Sequence, residues 1–350
     1  MLFGTTIEAM EKVTRDLFNP TLFESILNCY RIPLSDANIL DGFESFIFNV
    51  RRDGCEFILR IGHSSRRSAD LIQGEAEFLN YLRGGGLSVP QVLPSANGML
   101  VETIEAQDGS YFLATLFEKA SGHPPKGNDW SSELYGSMGQ FLGRLHRLSK
   151  DFQPSQPRYQ RFSITEDFAA MEKAGRQYLP PGDQPILQAY LDTVAAIQQL
   201  PQDPHSYGLC HIDFHGGNFF ITDDGQITLF DFDDCQYAWF VYDIAMALFY
   251  VISHECTNDE ELQKAKTFLS AFWSGYTAEH NLAPSWLEHI PLFLRLREID
   301  LYMLIHRSMD LNQLDPWCTS YMDGRREKII QALPYCALDY ASIAEWARED

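Results

Sequence analysis

Residues 209–234 read LCHIDFHGGNFFITDDGQITLFDFDD. Two β-prone runs in this stretch flank Asp-Asp-Gly-Gln, and an Asp-Gly pair at such a point is a strong short-range signal for a β-hairpin. A two-residue turn at Asp224-Gly225 predicts a register that places Asn218 opposite Asp231, where the hairpin opens. Directly opposed side chains begin about 5 Å apart at Cβ.

The polar residues around this opening suit a divalent cation. An amide oxygen and a carboxylate can converge on one hard ion, and Mg²⁺ typically takes one or two carboxylates together with phosphate oxygens and water. Asp233 is expected on the same strand face as Asp231. Before Asn218, the Gly216-Gly217 pair allows a sharp loop and the close approach of a ligand, and Asp213 is expected to project from that loop.

The motif His-x-Asp-x-x-x-x-Asn at 211–218 is followed by Asp231 and then by Tyr242-Asp243. This spacing resembles the catalytic and metal-binding loops shared by protein kinases and the aminoglycoside phosphotransferase or choline kinase-like family. The resemblance implies an α+β, two-lobed protein kinase-like fold. In that fold an N-terminal antiparallel sheet with a helix precedes a larger, mostly helical C-terminal lobe.

The resemblance also implies the roles of individual residues. Asp213 takes the place of the catalytic base, and Asn218 and Asp231 take the places of the Mg²⁺ ligands. Asp243 resembles a buried structural residue that braces the catalytic loop. The implied cofactors are ATP and Mg²⁺.

Two other interpretations of these residues stay open. Asp and Asn beside glycines are ordinary turn formers. His211, Asp213 and His215 also have the side chains of a zinc site for hydrolysis, although such a site leaves Asn218 and Asp231 without a purpose.

Composition limits the possible partners. At 350 residues and 45% hydrophobic, the chain is long enough to form two lobes. Its net charge of −21 argues against nucleic acids and anionic membranes as partners, because like charges repel. The same charge is compatible with a cationic substrate, or it serves solubility alone. Seven scattered cysteines without a Cys-x-x-Cys pair, and no evident targeting segment, favour a cytoplasmic location.

The N-terminal region is predicted to contain a second hairpin. Residues 46–50 and 57–61 are apolar runs joined by a turn at Asp53-Gly54. The preceding loop at 41–45 has a single glycine where a protein kinase carries a glycine-rich loop. Aminoglycoside-type phosphotransferases commonly have a loop with few glycines at this position.

Arg60 occupies the strand position where the family usually has a lysine that binds the ATP phosphates. Arginine keeps the charge but presents a planar fork. On the helix predicted at about 70–82, Glu75 falls within the apolar stripe. A buried carboxylate needs a cation, so periodicity predicts that Glu75 pairs with Arg60, and the family alignment agrees. The alternative is that Arg60 is an ordinary arginine at a strand edge.

Residues 118–122, Glu-Lys-Ala-Ser-Gly, resemble the family's hinge between lobes. The family holds adenine there by backbone groups, which implies the Glu118 carbonyl and the Ala120 amide. The predicted domains are therefore a nucleotide-binding lobe at 1–117, the hinge, and a catalytic and acceptor-binding lobe at 123–350.

The C-terminal region is predicted to be mainly helical. In the first of its helices, Gly139 and Gly143 would let another helix approach closely. The apolar stretch 237–252 is short for a membrane span and contains Asp243, so it is interpreted as a buried helix. The predicted helices cover residues 134–148, 165–178, 184–200, 257–279 and 284–311, and residues 151–163 are predicted to form a loop.

These observations predict an enzyme that transfers the γ-phosphate of ATP to a hydroxyl of a small molecule, like an aminoglycoside, choline or homoserine kinase. Two alternatives stay open: a Ser/Thr protein kinase of bacterial type, and a nucleotide-binding module without turnover. The acceptor and the oligomeric state are not predicted. Four residues are candidates for an acidic or aromatic wall around a cationic acceptor, although such residues are more often part of a core. They are Glu298, Asp300, Tyr302 and Trp317.

Overall fold

The computed structural model describes residues 12–40, 42, 44–252 and 256–347. The sequence also predicts a helical region at residues 5–31, of which 5–11 lie outside the described residues. Positions 41 and 43 of the single-glycine loop lie outside them too. The described chain forms two compact units. One unit extends to Ser121 and also includes Phe152–Arg161, and the other comprises Gly122–Asp151 and the chain from Phe162 onward.

Over the residues that the structure describes, the first unit contains an antiparallel sheet and three α-helices. The strand order is β1-β2-β3-β6-β4, and β5 also pairs with β6. The elements are α1 (Lys12–Leu17), α2 (Pro20–Cys29), β1 (Ala37–Leu40), β2 (Phe46–Arg52), β3 (Cys55–His63), α3 (Ala69–Gly84), β4 (Val92–Leu93), β5 (Glu102–Glu105) and β6 (Tyr111–Glu118).

The turn at Asp53-Gly54 is confirmed. Arg52 pairs with Cys55 across a two-residue loop. Asp53 and Gly54 have φ values of 52° and 81°, and positive φ at both central residues is what a type I′ hairpin turn requires. The hairpin places β3 in the middle of the sheet, where it pairs with β2 and β6.

One face of the sheet packs against α2. The Phe23 ring stacks on Phe48 with centroids 4.4 Å apart, and Phe18 stacks on Phe46 at 4.1 Å. These aromatic side chains are buried in one continuous core. Burial of large apolar side chains is the main stabilising contribution to such a unit.

The segment 152–161 was predicted to be a loop of the C-terminal lobe, but it packs against α3 of the first unit. A Cβ on Gly74 would lie 1.9 Å from the Tyr159 carbonyl oxygen, so only glycine allows this approach. Arg161 Nη1 donates to the Leu71 carbonyl at 2.8 Å. The boundaries of the predicted lobes and hinge remain a prediction.

The second unit is mostly helical with two small antiparallel ribbons, β7 with β10 and β8 with β9. Its elements are α4 (Ser132–Ser149), α5 (Ile164–Tyr178), α6 (Gln184–Ile197), β7 (Tyr207–Cys210), β8 (Phe219–Ile221), β9 (Ile227–Leu229), β10 (Gln236–Trp239), α7 (Phe240–Val251), α8 (Asp259–Thr277), α9 (Ile290–Ser308), α10 (Pro316–Met322), α11 (Arg325–Ile330) and α12 (Tyr340–Trp346).

Helices α4 and α8 pack closely through glycines, as the sequence predicted. A Cβ on Gly139 would lie 1.9 Å from the Phe272 carbonyl oxygen, and one on Gly143 would lie 2.5 Å from that of Tyr276. Helix α7 is buried along its length apart from Tyr250, which confirms its prediction as a core helix. Among the described residues, no helix is long and apolar enough to cross a bilayer.

Candidate active site

The hairpin at the centre of the sequence forms, but its predicted register is wrong by one residue. Phe219 pairs with Leu229 and Ile221 with Ile227. The loop contains the three residues 223–225, because the Thr222 amide donates to the Gln226 carbonyl across it at 3.0 Å. Gly225, the last of the three, has a φ of 78°. A three-residue loop that ends in a left-handed glycine is the next most common hairpin connection after the two-residue turn.

The shift in register changes how Asn218 and Asp231 are related. Phe230, not Asp231, now stands opposite Asn218, and its amide donates to the Asn218 carbonyl at 2.9 Å. Strand β9 has already ended, so Asp231 does not share a strand face with Asp233, as had been expected. Asp231 instead has a φ of 64°, a backbone conformation that turns the chain sharply. Of the two predicted metal ligands, Asn218 therefore accepts this backbone hydrogen bond, and Asp231 directly follows the residue that donates it.

Asp243 braces the catalytic loop, as the family resemblance implied. Its carboxylate is completely buried and accepts hydrogen bonds from the His211 amide at 2.9 Å and from the Ile212 amide at 2.6 Å. His146 Nε2 donates a third at 3.0 Å. Ile212 has a φ of 74°, which is strained for a β-branched residue and persists only where the surroundings fix it. Asp243 supplies that constraint directly before Asp213.

His211 has a structural role that excludes it as a zinc ligand. Its Nδ1 accepts the Asp213 amide at 3.1 Å and its Nε2 donates to the Phe230 carbonyl at 3.0 Å. Both ring nitrogens are occupied, and the ring ties the loop to the residue before Asp231. Burial lowers the pKa of His211, so the ring is neutral. Within the described residues, the predicted zinc cluster with His215 is not among the groups whose ligand atoms converge.

The Asp213 carboxylate is held by three side chains. Its Oδ2 accepts Asn218 Nδ2 at 2.8 Å and His215 Nε2 at 3.2 Å. Its Oδ1 lies 3.4 Å from Arg297 Nη2 of α9. Arg297 also bonds to the Tyr250 hydroxyl of α7. About a quarter of the Asp213 side chain, 26%, remains exposed, so the carboxylate is fixed in direction yet open to a ligand.

These neighbours keep Asp213 ionised. Burial acts to raise the pKa of Asp213, but the hydrogen bond from His215 and the positive charge of Arg297 outweigh it, and the pKa falls well below its usual range. A carboxylate in this state can orient a hydroxyl and accept its proton as the oxygen forms its new bond. It can do so across the neutral pH range.

Asn218 presents an oxygen suited to a cation. Its amide nitrogen donates to the Asp213 carbonyl at 2.9 Å and to the Asp213 carboxylate, and it also lies 3.2 Å from His215 Nε2. That orientation leaves the side-chain oxygen of Asn218 as the atom available to a metal ion. An amide oxygen and a carboxylate together form a donor set that fits Mg²⁺ or Ca²⁺.

The two glycines of the loop make room for aromatic rings. A Cβ on Gly216 would lie 2.7 Å from the Trp130 ring, and one on Gly217 would lie 2.7 Å from the His215 ring. The approach of a ligand at this pair stays a prediction. The His215 ring, whose Nδ1 accepts the Gly217 amide at 3.0 Å, is thereby turned with Nε2 toward Asp213.

In the first unit, Arg60 forms the predicted ion pair with Glu75. The two nitrogens Nη1 and Nη2 bind the two carboxylate oxygens at 2.9 and 2.5 Å. Arg60 lies on β3 at the centre of the sheet and is buried, which excludes the strand-edge alternative. Its guanidinium also lies 5.0 Å from the centroid of the Phe117 ring. A bidentate pair of this kind fixes the orientation of the arginine.

The predicted hinge follows β6. The Glu118 amide donates to the Gln91 carbonyl at 2.9 Å, and no backbone partner of the Ala120 amide is found within the described ranges. After the hinge, His123 forms a two-way backbone bridge with Ile221 of β8, at 3.0 and 2.9 Å. Gly122, with a φ of 100°, is needed because a Cβ there would lie 2.4 Å from the Ile221 oxygen.

The sequence did not identify Arg297 or Tyr250 as supports of Asp213, and it considered His215 only as a metal ligand. For Arg297 a signal was present. It lies three residues after Leu294 and four before Leu301, both buried, so an arginine in this apolar stripe needs an anion. The identity of that anion could not be predicted, because Asp213 is 84 residues away in the chain.

Comparison with known proteins agrees with the phosphotransferase resemblance of the central motif. The model of the phosphotransferase enzyme family matches residues 38–280. Amicoumacin kinase of Bacillus subtilis (strain 168) is 34% identical over 315 residues, which cover 90% of this chain and 93% of that protein.

Solved structures agree with the sequence matches. An amicoumacin kinase in complex with AMP-PNP, Ca²⁺ and Ami superposes with a TM-score of 0.89 at 31% identity, over 95% of this chain and 100% of that one. A microcompartment-associated aminopropanol kinase has a TM-score of 0.66 at 20% identity, over 95% and 97% of the two chains. The second likeness concerns the fold alone.

Proposed function

The chain belongs to the phosphotransferase enzyme family, and from this premise we propose that it transfers the γ-phosphoryl group of ATP to a hydroxyl of amicoumacin or a molecule of similar structure. The α+β fold is that of the protein kinase-like phosphotransferases. The enzyme is an ATP-dependent phosphotransferase that acts on a small-molecule hydroxyl and uses a divalent cation. The proposal concerns the acceptor and the residues that act on it.

One observation supports the assignment of Asp213 as the base: its ionised carboxylate is oriented by Asn218, His215 and Arg297 and is still partly exposed. In the proposed mechanism Asp213 orients the acceptor hydroxyl and takes its proton as the oxygen–phosphorus bond forms. Arg297 keeps the carboxylate in place. Positioning and electrostatics provide most of the catalysis in phosphoryl transfer.

The ligands of the divalent cation are proposed to be Asn218 and Asp231. When bound, the cation neutralises charge on the transferred phosphoryl group. Arg60 is proposed to add positive charge at the ATP phosphates, with Glu75 fixing its direction. The Glu118 carbonyl and the Ala120 amide are proposed to hold adenine, with 118–122 as the hinge.

We also propose a cytoplasmic location and a cationic acceptor. The seven cysteines are scattered and include no Cys-x-x-Cys pair, which is typical of a reducing compartment. The net charge of −21 favours a positively charged small molecule over an anionic one.

The test measures ADP release with ATP, Mg²⁺ and amicoumacin, together with the mass gain of one phosphoryl group on the acceptor. Asp213→Asn keeps the shape of the side chain but removes the proton acceptor. We expect it to lower the turnover rate by about 10²- to 10⁴-fold while leaving the binding of the nucleotide nearly unchanged.

The matched control is Asp223→Asn, an exposed acid in the turn of the same hairpin, which should retain turnover. Normal turnover by Asp213→Asn would contradict the assignment of the base. Labelled phosphate on protein and none on amicoumacin would instead favour the protein kinase alternative.

A further inference from the structure

Two buried cysteines that the proposed mechanism does not use lie against each other in the second unit. Cys256 lies between α7 and α8 in the sequence, and Cys336 lies between α11 and α12. Their Sγ atoms are 2.8 Å apart, and both residues carry free thiols. For comparison, Cys318 Sγ lies 3.6 Å from Met309 Sδ. The sulfurs of a disulfide are about 2.0 Å apart, so the Cys256–Cys336 pair needs to close by only about 1 Å.

The backbone holds these two thiols side by side. Cys256 and Cys336 form a parallel β-bridge, and the Ala337 amide donates to the Cys256 carbonyl at 3.2 Å. Paired strands lie about 4.8 Å apart, and the side chains of directly paired residues point to the same face. That spacing falls within the Cα separations that a disulfide spans. The pair can therefore be bridged without a rearrangement of the backbone.

Aromatic packing fixes the chain directly before Cys336. Tyr335 is buried, and its ring stacks on Phe249 of α7 with centroids 4.3 Å apart and an angle of 13° between the planes. Cys336 is thus held on both sides, by the ring of the preceding residue and by the backbone of the following one. The two cysteines are 80 residues apart in sequence, so only the folded chain brings their thiols together.

The two thiols differ in reactivity. The hydrogen bond from the Cys256 thiol lowers the pKa of Cys336, and the same bond raises the pKa of Cys256. The thiolate is the reactive form of cysteine, which makes Cys336 the first nucleophile of the pair. Cys336 also keeps 3% exposure, against 0% for Cys256, and Ala337 beside it is exposed. Because the pair is buried, an oxidant that reaches it must be small.

We propose that Cys256 and Cys336 are a redox-active dithiol that hydrogen peroxide converts to an intrachain disulfide. In the first step the Cys336 sulfur attacks one peroxide oxygen and the O–O bond breaks. The thiol proton leaves with the departing oxygen as water, and Cys336 becomes a sulfenic acid. In the second step the Cys256 sulfur attacks that sulfur, the S–O bond breaks, and the Cys256 proton leaves with the hydroxyl as a second water. The two thiols lose two electrons in all, and the peroxide is reduced to two waters.

The disulfide ties the segment before α12 to the chain after α7. It closes a covalent loop that contains α8, α9, α10 and α11, and α9 carries Arg297, which contacts Asp213. A cross-link of this kind restricts the unfolded chain and so stabilises the folded one. In a reducing compartment such disulfides are usually transient and respond to oxidants. The dithiol thereby makes the stability of the second unit depend on peroxide, whatever the acceptor of the enzyme is.

The experiment uses the full chain, reduced and then treated with hydrogen peroxide. The remaining thiols are labelled with N-ethylmaleimide in denaturant and counted by mass spectrometry. The chain has seven cysteines, so joining two of them should leave five labels, and a peptide map should contain one cross-link, between Cys256 and Cys336. The melting temperature should rise by about 5 °C and return to its starting value with dithiothreitol.

The controls separate this pair from the other cysteines. Cys256→Ser removes the second nucleophile, so peroxide should produce neither the cross-link nor the rise in melting temperature. Cys256→Ala, which adds no buried hydroxyl, should behave in the same way. Cys55→Ser replaces an exposed cysteine in β3 and should keep both effects. Treatment in concentrated urea should abolish the preference for this pair, because only the fold holds the two thiols together.

Seven labels on the peroxide-treated wild-type protein would overturn the proposal, as would a cross-link between any other two cysteines. A Cys256–Cys336 cross-link that leaves the melting temperature unchanged would overturn the stabilising role. The wild-type peptide map does not require any variant to fold. Loss of turnover in Asp213→Asn is measured in a different assay, so failure of the dithiol can be distinguished from failure of the proposed reaction.

Discussion

Arg60 and Glu75 show how one buried pair can serve both stability and function. Both residues lie in the interior of the first unit, and their bidentate contact occupies both carboxylate oxygens. Desolvation makes such a pair expensive to form, so its net contribution is small, but removing one partner leaves a buried charge alone. The sequence located this pair because a charged residue within an apolar helical stripe requires an opposite charge.

Glu75→Ala is expected to lower the free energy of unfolding by about 3–5 kcal/mol, because Arg60 would remain buried without its counter-charge. Urea denaturation measures the change. The matched variant is Glu77→Ala on the same helix, whose side chain accepts from the Ser155 amide at 2.8 Å and is only half-buried.

Glu77 also accepts from the Ser155 hydroxyl at 2.7 Å and from Gln73 Nε2 at 3.1 Å. Loss of these partly exposed hydrogen bonds should together cost about 1–2 kcal/mol. If Glu75→Ala proved no more costly than Glu77→Ala, the buried pair would not have the stabilising role assigned to it. The Michaelis constant for ATP should rise with Glu75→Ala, since Arg60 would lose its fixed direction, and should not change with Glu77→Ala.

At the scale of secondary structure, two Asp-Gly turns show what local sequence can and cannot predict. Asp53-Gly54 forms the expected two-residue turn, whereas Asp224-Gly225 belongs to a three-residue loop. In the second hairpin the Thr222 side chain bonds to Asp224 and accepts the Gln226 amide at 3.1 Å. These contacts favour the longer loop, and they depend on side chains that the dipeptide rule ignores.

Contacts outside the hairpin position the loop that contains Asp213. Asp243 and His211 fix Asp213 through the backbone, and the positive φ of Asp231 reorients the chain after β9. A one-residue slip would normally move side chains to the opposite face. Here it places Phe230, rather than Asp231, opposite Asn218 at the open end of the hairpin.

The packing of α4 against α8 yields a prediction at this scale. Gly139→Ala would place a methyl group 1.9 Å from the Phe272 carbonyl oxygen, so the helices would have to separate. Overpacking of this kind typically costs about 1–3 kcal/mol, and we expect a loss of stability of about that size in urea denaturation.

The control is Gly84→Ala at the end of α3, where nothing lies within 4 Å of the added Cβ. There alanine should be neutral or stabilise by up to about 1 kcal/mol, through its better helix propensity. Equal effects of the two substitutions would show that α4 and α8 do not require the glycine.

For the whole molecule, the fold class could be predicted from one motif and its family resemblance. The contacts between segments far apart in the chain could not. The Arg297–Asp213 contact and the packing of 152–161 on α3 join segments far apart in sequence. Neither is encoded in periodicity or turn chemistry. Both depend on which surfaces meet after the helices have formed, and a single sequence gives no direct measure of that.

The overall charge sets a condition on nucleotide binding. A chain with a net charge of −21 repels ATP at long range, so binding needs local positive charge. The described candidates are Arg60 in the first unit and a cation held by Asn218 and Asp231 in the second. Nucleotide affinity should therefore depend strongly on the divalent ion.

That dependence can be measured as a change in the stability of the whole protein. A ligand that binds only the folded state stabilises it by about 2.7 kcal/mol at 100 times its Kd. We expect AMP-PNP with Mg²⁺ to raise the melting temperature of the wild-type protein more than AMP-PNP with a chelator. Asp231→Ala should abolish this Mg²⁺-dependent increment, because one carboxylate ligand is missing. Asp223→Ala, in the exposed turn of the same hairpin, should retain it. An increment of normal size in Asp231→Ala would show that another residue holds the ion.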